Sequence, residues 1–85
     1  MERRPPVWVG HIHLETHRFD ESEAFMQTLG MRPIGKFNDV AILELRGGTH
    51  LVLQRSDTDS AAPAEFDLMV EDIDATHADF VSKGL

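Results

Sequence analysis

The sequence predicts an α+β protein, built from one βαβββ module that is followed by the βα start of a second, incomplete module. Three observations predict this class. An alternating strand precedes an amphipathic helix, three short strand-like runs follow that helix, and the beginning of the chain is repeated near its end. The predicted divisions are residues 7–55 for the first module, 56–64 for a linker and 65–85 for the partial second module.

The first strand is predicted from regular alternation over residues 8–16. Ile12 and Leu14 lie on one face of this strand, and His11 and His13 lie on the other. Because the side chains of a strand point alternately to the two sides of a sheet, this pattern is typical of a strand with one buried face.

The first helix is predicted from the residues at its two ends. Asp20 occupies an N-cap position and Glu23 follows three residues later, which is the arrangement of a capping box. Gly30 provides a C-terminal stop, and Pro33 prevents the helix from continuing. Three apolar residues between these ends supply the stripe that faces the core: Phe25, Met26 and Leu29.

Three short strand-like runs follow the helix, at residues 34–38, 40–46 and 49–55. Residues that favour turns separate them, namely Asn38-Asp39 and Gly47-Gly48. The glycine pair is suited to a two-residue hairpin, because glycine adopts positive φ without steric cost. These runs complete the predicted βαβββ module.

The end of the chain repeats its beginning. Residues 65–71 alternate like the first strand, and Asp74 caps a second predicted helix that runs to Lys83. Residues 11–31 align with residues 65–85 without a gap, and identical residues fall at equivalent points of the strand, cap, helix and stop: Leu14 and Leu68, Asp20 and Asp74, Ala24 and Ala78, Gly30 and Gly84. A structural repeat is therefore predicted, of which the second copy lacks its last three strands.

The composition excludes several classes of protein. The 85 residues include 8 Lys+Arg and 15 Asp+Glu, a net charge of −7, and such a surface repels nucleic acid. No cysteine is present, which excludes disulfides and thiolate metal sites. No apolar run approaches the roughly 18 residues of a membrane helix and no signal peptide is apparent, so we expect a cytoplasmic protein without a membrane partner.

Two histidines on the first strand are candidate metal ligands. His11 and His13 are two residues apart, so their side chains share a face and their Cα atoms are roughly 6.5–7 Å apart. With a carboxylate, they resemble a two-His-one-carboxylate site. The repeat aligns Glu65 with His11 and Asp67 with His13, so both strands present residues that can bind a metal. Alternatively, these residues form the solvated faces of two amphipathic strands.

His50 and Glu44 are further candidates. His50 follows the predicted hairpin turn and shares a strand face with Val52 and Gln54. Glu44 lies in an otherwise apolar strand, on the same face as Ile42. His50 is either a ligand contact or an exposed residue near a turn, and Glu44 lies either at a wet cavity or on an exposed edge.

Three segments carry a resemblance to a known family. They are Gly10-His11-Ile12-His13-Leu14, Ser22-Glu23-Ala24-Phe25-Met26 with Leu29-Gly30-Met31, and Phe66-Asp67-Leu68-Met69-Val70-Glu71-Asp72-Ile73-Asp74. In order, they resemble the opening strand with its metal-binding histidine, the Ser-x-x-Phe-Tyr and Leu-Gly-Met motifs, and the second opening strand of the vicinal oxygen chelate (VOC) superfamily. This superfamily includes glyoxalase I, bleomycin-resistance proteins and extradiol dioxygenases. The chain departs from its pattern at Met26, where an aromatic residue is usual, and at Glu65, where a histidine is usual.

The resemblance implies a divalent metal (Zn, Mn, Fe or Ni) with His11 and Glu65 as its ligands. It further implies that four residues line the cavity or contact substrate: His13, His50, Asp67 and Glu44. In this superfamily a cavity closes when two modules pair their sheets. Because the second module is incomplete here, the resemblance implies a homodimer, or a fragment of a longer protein.

Two functions of different classes follow from the resemblance. The first is a metal-dependent enzyme, a lyase, isomerase or dioxygenase, that acts on a small substrate with vicinal oxygens. The second is a metal-free protein of the same fold that sequesters a small ligand, as bleomycin-resistance proteins do. The His-x-His strand favours the enzyme, whereas the glutamate at the second histidine position favours the binding protein. A third hypothesis is an isolated folding fragment without activity.

Overall fold

The computed structural model describes residues 5–57 and 66–85, and it confirms the predicted α+β class and the βαβββ module. The elements are β1 (His11–Thr16), α1 (Phe19–Leu29), β2 (Arg32–Phe37), β3 (Val40–Glu44), a short 3-10 turn (Arg46–Gly48), β4 (His50–Arg55) and α2 (Ile73–Ser82). The predicted first strand is shorter than expected, since the ladder begins only at His11.

The described residues form one sheet of four strands in the order β1, β4, β3, β2. β1 runs parallel to β4, while β3 is antiparallel to both β4 and β2. The chain therefore crosses from one edge of the sheet at β1, through α1, to the opposite edge at β2. It then returns through β3 to place β4 beside β1, so residues distant in sequence become neighbours in the sheet.

The core lies between α1 and one face of the sheet. Its fully buried residues are Phe19, Met31, Ala41, Leu43, Leu51 and Leu53. Partly buried residues pack against them: Ile12, Leu14, Met26, Leu45 and Phe66. Because β1, β3 and β4 each place alternate residues in this core, their remaining side chains lie on the opposite, open face. The two predicted faces of β1 are thus confirmed.

α1 begins two residues earlier than predicted. Its N-cap is Arg18, without a side-chain hydrogen bond, and Phe19 is already helical and buried. The prediction of Asp20 as N-cap was therefore wrong; its carboxylate lies in the first turn and contacts Lys36 at 3.3 Å. Burial of the Phe19 ring sets the start of the helix instead of a cap. The predicted stop is confirmed, because Gly30 adopts the left-handed conformation with φ 118°.

α2 is capped two residues earlier than predicted. The side chain of Asp72 accepts a hydrogen bond from the Ala75 amide at 3.0 Å, so Asp72 is the cap and the assignment of Asp74 was wrong. Asp74 lies in the first turn, where its charge favours the positive end of the helix dipole. Neither helix of the described residues has the length and apolar character that crossing a membrane requires.

The predicted second-module strand is not observed in its described part. Residues 66–70 form no hydrogen-bonded ladder, and Leu68, Met69 and Val70 are exposed. Among the described residues no strand lies beside them to accept and donate backbone hydrogen bonds, which an alternating sequence needs to become a strand. Glu65 and most of the predicted linker lie outside the described residues. The division into modules stays a prediction.

Candidate functional site

One row of polar side chains crosses the open face of the sheet. His11 of β1 is the register partner of His50 in β4, His50 is the partner of Glu44 in β3, and Glu44 is the partner of Arg32 in β2. We call these four residues the polar row. The register places one of its members on each of the four strands, although the residues are up to 39 positions apart in the sequence from His11 to His50.

The members of the polar row contact one another in order. The ring centres of His11 and His50 are 5.6 Å apart, with 33° between the ring planes. His50 Nε2 lies 3.9 Å from Glu44 Oε2. Arg32 Nε donates a hydrogen bond to Glu44 Oε1 at 2.9 Å, and Arg32 Nη2 lies 2.7 Å from the same oxygen. Glu44 therefore presents one oxygen to the guanidinium group and the other to the imidazole.

An apolar strip lies beside the polar row, two residues further along β1 and β4 and two residues back along β3. His13 is the register partner of Val52, which is in turn the partner of Ile42. His13 shares the open face with His11, as predicted, but His50 is the imidazole that lies against His11. The open face thus combines a line of hydrogen-bonding and metal-binding groups with an apolar strip, which is a combination suited to a small ligand with both kinds of surface.

The remaining predicted residues are not brought to this row. Asp67 borders a depression on the other side of β1, which it shares with Val9, Ile12 and Phe66. Glu65 lies outside the described residues, so its distance from His11 is undefined. Of the six predicted site residues, the structure brings His11, His50 and Glu44 together, with His13 beside them.

The two imidazoles of the polar row can be compared with the spacing of two histidines that share one metal ion. A metal about 2.1 Å from each imidazole nitrogen would lie roughly 3 Å from each ring centre, so two rings on one tetrahedral ion stand roughly 5 Å apart. The 5.6 Å between His11 and His50 is close to this spacing. However, within residues 5–57 and 66–85 no three His, Asp or Glu side chains converge on one point. The described residues fit two ligands of a metal and do not complete its coordination.

Arg32 was missed by the sequence interpretation. It directly follows the Leu29-Gly30-Met31 motif, and nothing in that motif marks it as part of a site. Its position depends on the pairing of β2 with β3, which places it opposite Glu44. To predict this contact, one would have to know the register of β2 against β3 in advance. A bulge between Pro33 and Gly35 changes that register within β2, so it cannot be obtained by counting residues from the turn.

A separate apolar depression of about 400 Å³ lies between the end of α1 and α2. It is lined mainly by Leu29, Met31, Leu45, Leu68, Ile73 and Phe80. None of the four residues of the polar row borders it. The candidate site is therefore defined by the chemistry of the row, on an open surface, and not by this depression.

No protein-family model matches the chain, and no curated protein matches it. Solved structures do match. Oxidase ChaP-H2 superposes with a TM-score of 0.71 at 19% identity, covering 94% of this chain and 65% of that one. A glyoxalase/bleomycin resistance protein/dioxygenase from Alicyclobacillus acidocaldarius gives 0.69 at 20%, covering 96% and 67%. Lactoylglutathione lyase from Agrobacterium tumefaciens gives 0.67 at 18%, covering 95% and 73%.

These matches show that the chain shares its fold with these structures, which is the fold that the resemblance of the three sequence segments predicts. The identities are at most 20% among these three structures, so the likeness is one of fold. The chain spans 65% of the length of the oxidase and 73% of the length of the lyase. The activities named for those longer proteins are therefore a starting point for a proposal.

Proposed function

We propose that this chain binds a small ligand with vicinal oxygens on the open face of its sheet, with a divalent metal as cofactor. The polar row is the observation that supports this proposal. It places two imidazoles, a carboxylate and a guanidinium group side by side, and these groups bind metals or oxygen-rich ligands. The oxidase, lyase and dioxygenase names of the structural neighbours support a reaction of that broad class.

In this proposal His11 is the metal ligand from β1 and Glu65 supplies a carboxylate. His50 lies against His11 and is a candidate for a further ligand or a ligand contact. The metal would act as a Lewis acid that polarises a ligand oxygen. His13 and Glu44 keep their proposed place as groups that contact the ligand, whereas Asp67 borders a separate depression and is not part of this proposal.

The residues of the chain itself position the ligand. Glu44 Oε2 lies 3.9 Å from His50 Nε2, so a ligand bound on the open face can contact both side chains. Val52 and Ile42 form the apolar strip beside the row and remove water from one side of a bound molecule.

A homodimer would complete this site. The polar row lies on an open sheet face, and three apolar residues before β1 are exposed: Val7, Trp8 and Val9. A second copy that covers these surfaces would bury apolar area and enclose the ligand. The cytoplasm stays the compartment predicted from the sequence.

Metal binding by the purified protein tests the proposal. We expect the wild type to bind about one Zn²⁺, Mn²⁺, Fe²⁺ or Ni²⁺ per chain in calorimetric titrations, and we expect His11→Ala to abolish this binding. Glu65→Ala and His50→Ala then identify the second ligand, since the substitution that removes a ligand weakens binding far more than the other. His77→Ala on α2 is the control, because His77 lies outside the polar row.

A metal-free binding protein is the second candidate. The ion pair between Glu44 and Arg32 favours this candidate, because it occupies the carboxylate nearest to His50. In addition, no three possible ligands converge among the described residues. A wild type that binds none of the four metals would refute the first candidate. The second then predicts that a small ligand raises the melting temperature in excess chelator, and that His50→Ala abolishes this shift.

A further inference from the structure

We propose that Arg32 controls whether the polar row accepts a metal, by holding the carboxylate of Glu44 away from the two histidines. This inference rests on the proposed metal site and assigns it a specificity-determining residue. Among the predicted site residues that the structure describes, Arg32 contacts Glu44, which was predicted to line the cavity, and it acts through that carboxylate.

The contacts of Glu44 show how it is held. Both Arg32 Nε and Arg32 Nη2 approach the same oxygen, Oε1, at 2.9 and 2.7 Å. A carboxylate oxygen that accepts a hydrogen bond from Nε and forms an ion pair with Nη2 is restrained in position, because charge-assisted contacts are shorter and stronger than neutral ones. The side chain of Glu44 is 29% exposed, so its charge is partly shielded from water and depends on Arg32 for neutralisation.

The second oxygen of Glu44 is just beyond ligand spacing. Two donor atoms on one tetrahedral metal, each about 2.1 Å from it, lie roughly 3.4 Å apart. The Oε2 atom is 3.9 Å from His50 Nε2, about half an ångström more than this estimate. A small rotation of Glu44 toward His50 would therefore bring a carboxylate to the His11–His50 pair, and the contacts with Arg32 oppose that rotation.

Removal of Arg32 favours metal binding for two reasons. The carboxylate is free to move toward His50, which completes a two-His-one-carboxylate ligand set. The row also loses one positive charge beside the incoming cation, and the negative charge of Glu44 is no longer neutralised. Both effects act in the same direction, so we expect a substantial gain in affinity for a transition metal.

Cobalt titration of a set of variants tests this inference, since Co²⁺ reports its ligands through its visible absorption spectrum. We expect Arg32→Met to bind Co²⁺ about tenfold or more tightly than the wild type, a size typical of changes around metal ligands. We expect the Co²⁺ affinity of Arg32→Lys to lie between those of the wild type and Arg32→Met, because lysine supplies a single nitrogen to Glu44. Arg46→Met is the matched control, since Arg46 forms an equally short pair of 2.7 Å with Glu71 outside the row.

Glu44→Gln shows whether the gain depends on the released carboxylate. In the Arg32→Met background it should return the Co²⁺ affinity and the visible spectrum to those of the wild type. Arg32 has 69% of its side chain exposed, so these proteins are expected to fold, and thermal melts verify this.

The outcomes separate the two proposals. If the wild type binds Co²⁺ through His11 and Arg32→Met does not bind it more tightly, the control by Arg32 is refuted and the metal site stands. If only Arg32→Met binds Co²⁺ and Glu44→Gln abolishes this binding, the control by Arg32 is supported. If neither protein binds Co²⁺, the control by Arg32 is refuted, while the titrations with the four metals named above decide the metal dependence of the wild type.

Discussion

The two copies of the sequence repeat fold differently, although they share one pattern. In the first copy β1 pairs with β4 over six residues and α1 covers the core. In the second copy residues 66–70 form no ladder, and none of the residues of α2 is buried. Phe19 and Ile73 occupy equivalent positions at the starts of the two helices, and they are 1% and 75% exposed, respectively. An alternating sequence thus specifies which side chains share a face, whereas a neighbouring strand is needed to bury that face.

The largest expected effect comes from removing the side chains at these equivalent positions. Phe19→Ala deletes a buried ring that packs beneath Lys36 and Arg55, so we expect it to lower the free energy of unfolding by about 3–4 kcal/mol. Ile73→Ala removes an exposed side chain and is expected to cost less than about 0.5 kcal/mol. Urea titration monitored by circular dichroism measures both.

The comparison would be wrong if these two substitutions destabilised the protein equally. Such a result would mean that the second copy is buried in solution, for example against another chain. A concentration dependence of the Ile73→Ala effect would then distinguish burial between chains from burial within one chain.

The glycines that end the two helices provide an intermediate effect. Gly30 and Gly84 both have positive φ, of 118° and 84°, where a side chain is strained. Because α1 is part of the core, Gly30→Ala is expected to cost about 1–2 kcal/mol of global stability. Gly84 follows α2, which has no buried residues, so we expect Gly84→Ala to lower the free energy of unfolding by less than about 0.5 kcal/mol. Thermal melts of the two variants check this, and a larger loss in Gly84→Ala would contradict the assignment of α2 to the weakly packed region.

The smallest expected effect is a pH dependence in the first copy. The pKa of Lys36 is raised above its usual 10.5, mainly by its hydrogen bond with Glu23 and further by that with Asp20. The folded state therefore binds this proton more tightly than the unfolded state. The contribution to stability is complete below pH 10.5 and is lost as the pH rises through the higher folded pKa.

Replacement of this lysine tests the pH dependence. The difference in urea midpoint between wild type and Lys36→Met should decrease as the pH is raised above 10.5. Lys83→Met is the matched change in the second copy, where Lys83 pairs with Asp79 inside α2 at 2.9 Å. If the difference in urea midpoint between wild type and Lys36→Met stays constant above pH 10.5, the contacts of Lys36 with α1 do not raise its pKa, and the prediction is wrong.

Much of the first module was predictable because each element carries local signals. The alternation of β1 predicted its two faces, and Gly30 predicted the end of α1. Gly47-Gly48 predicted a turn before β4, but the two-residue hairpin was wrong, because the connection contains a 3-10 turn over Arg46–Gly48. The caps were predicted less well. Asp20 and Asp74 each lie inside a helix, because a buried ring sets one start and Asp72 sets the other. Several residues near a helix start can serve as caps, and packing selects among them.

The candidate site was only partly predictable from the sequence. His11 and His13 are close because they are two residues apart on one strand, and this follows from the geometry of any strand. The proximity of His11, His50 and Glu44 depends on the strand order, since β4 lies between β1 and β3. Arg32 enters the row only through the register of the edge strand β2. No local pattern contains this information.

The sequence by itself determined the class of fold, the order of the elements and the face on which each strand residue lies. These properties depend on side-chain periodicity and on turn residues that act over a few positions. Only the tertiary structure decided which strands are neighbours, and hence that His50 and Glu44 join His11 while residues 66–70 stay without a ladder. The reason is that strand pairing joins backbone groups from distant parts of the chain, and a strand exists only where such a partner is present.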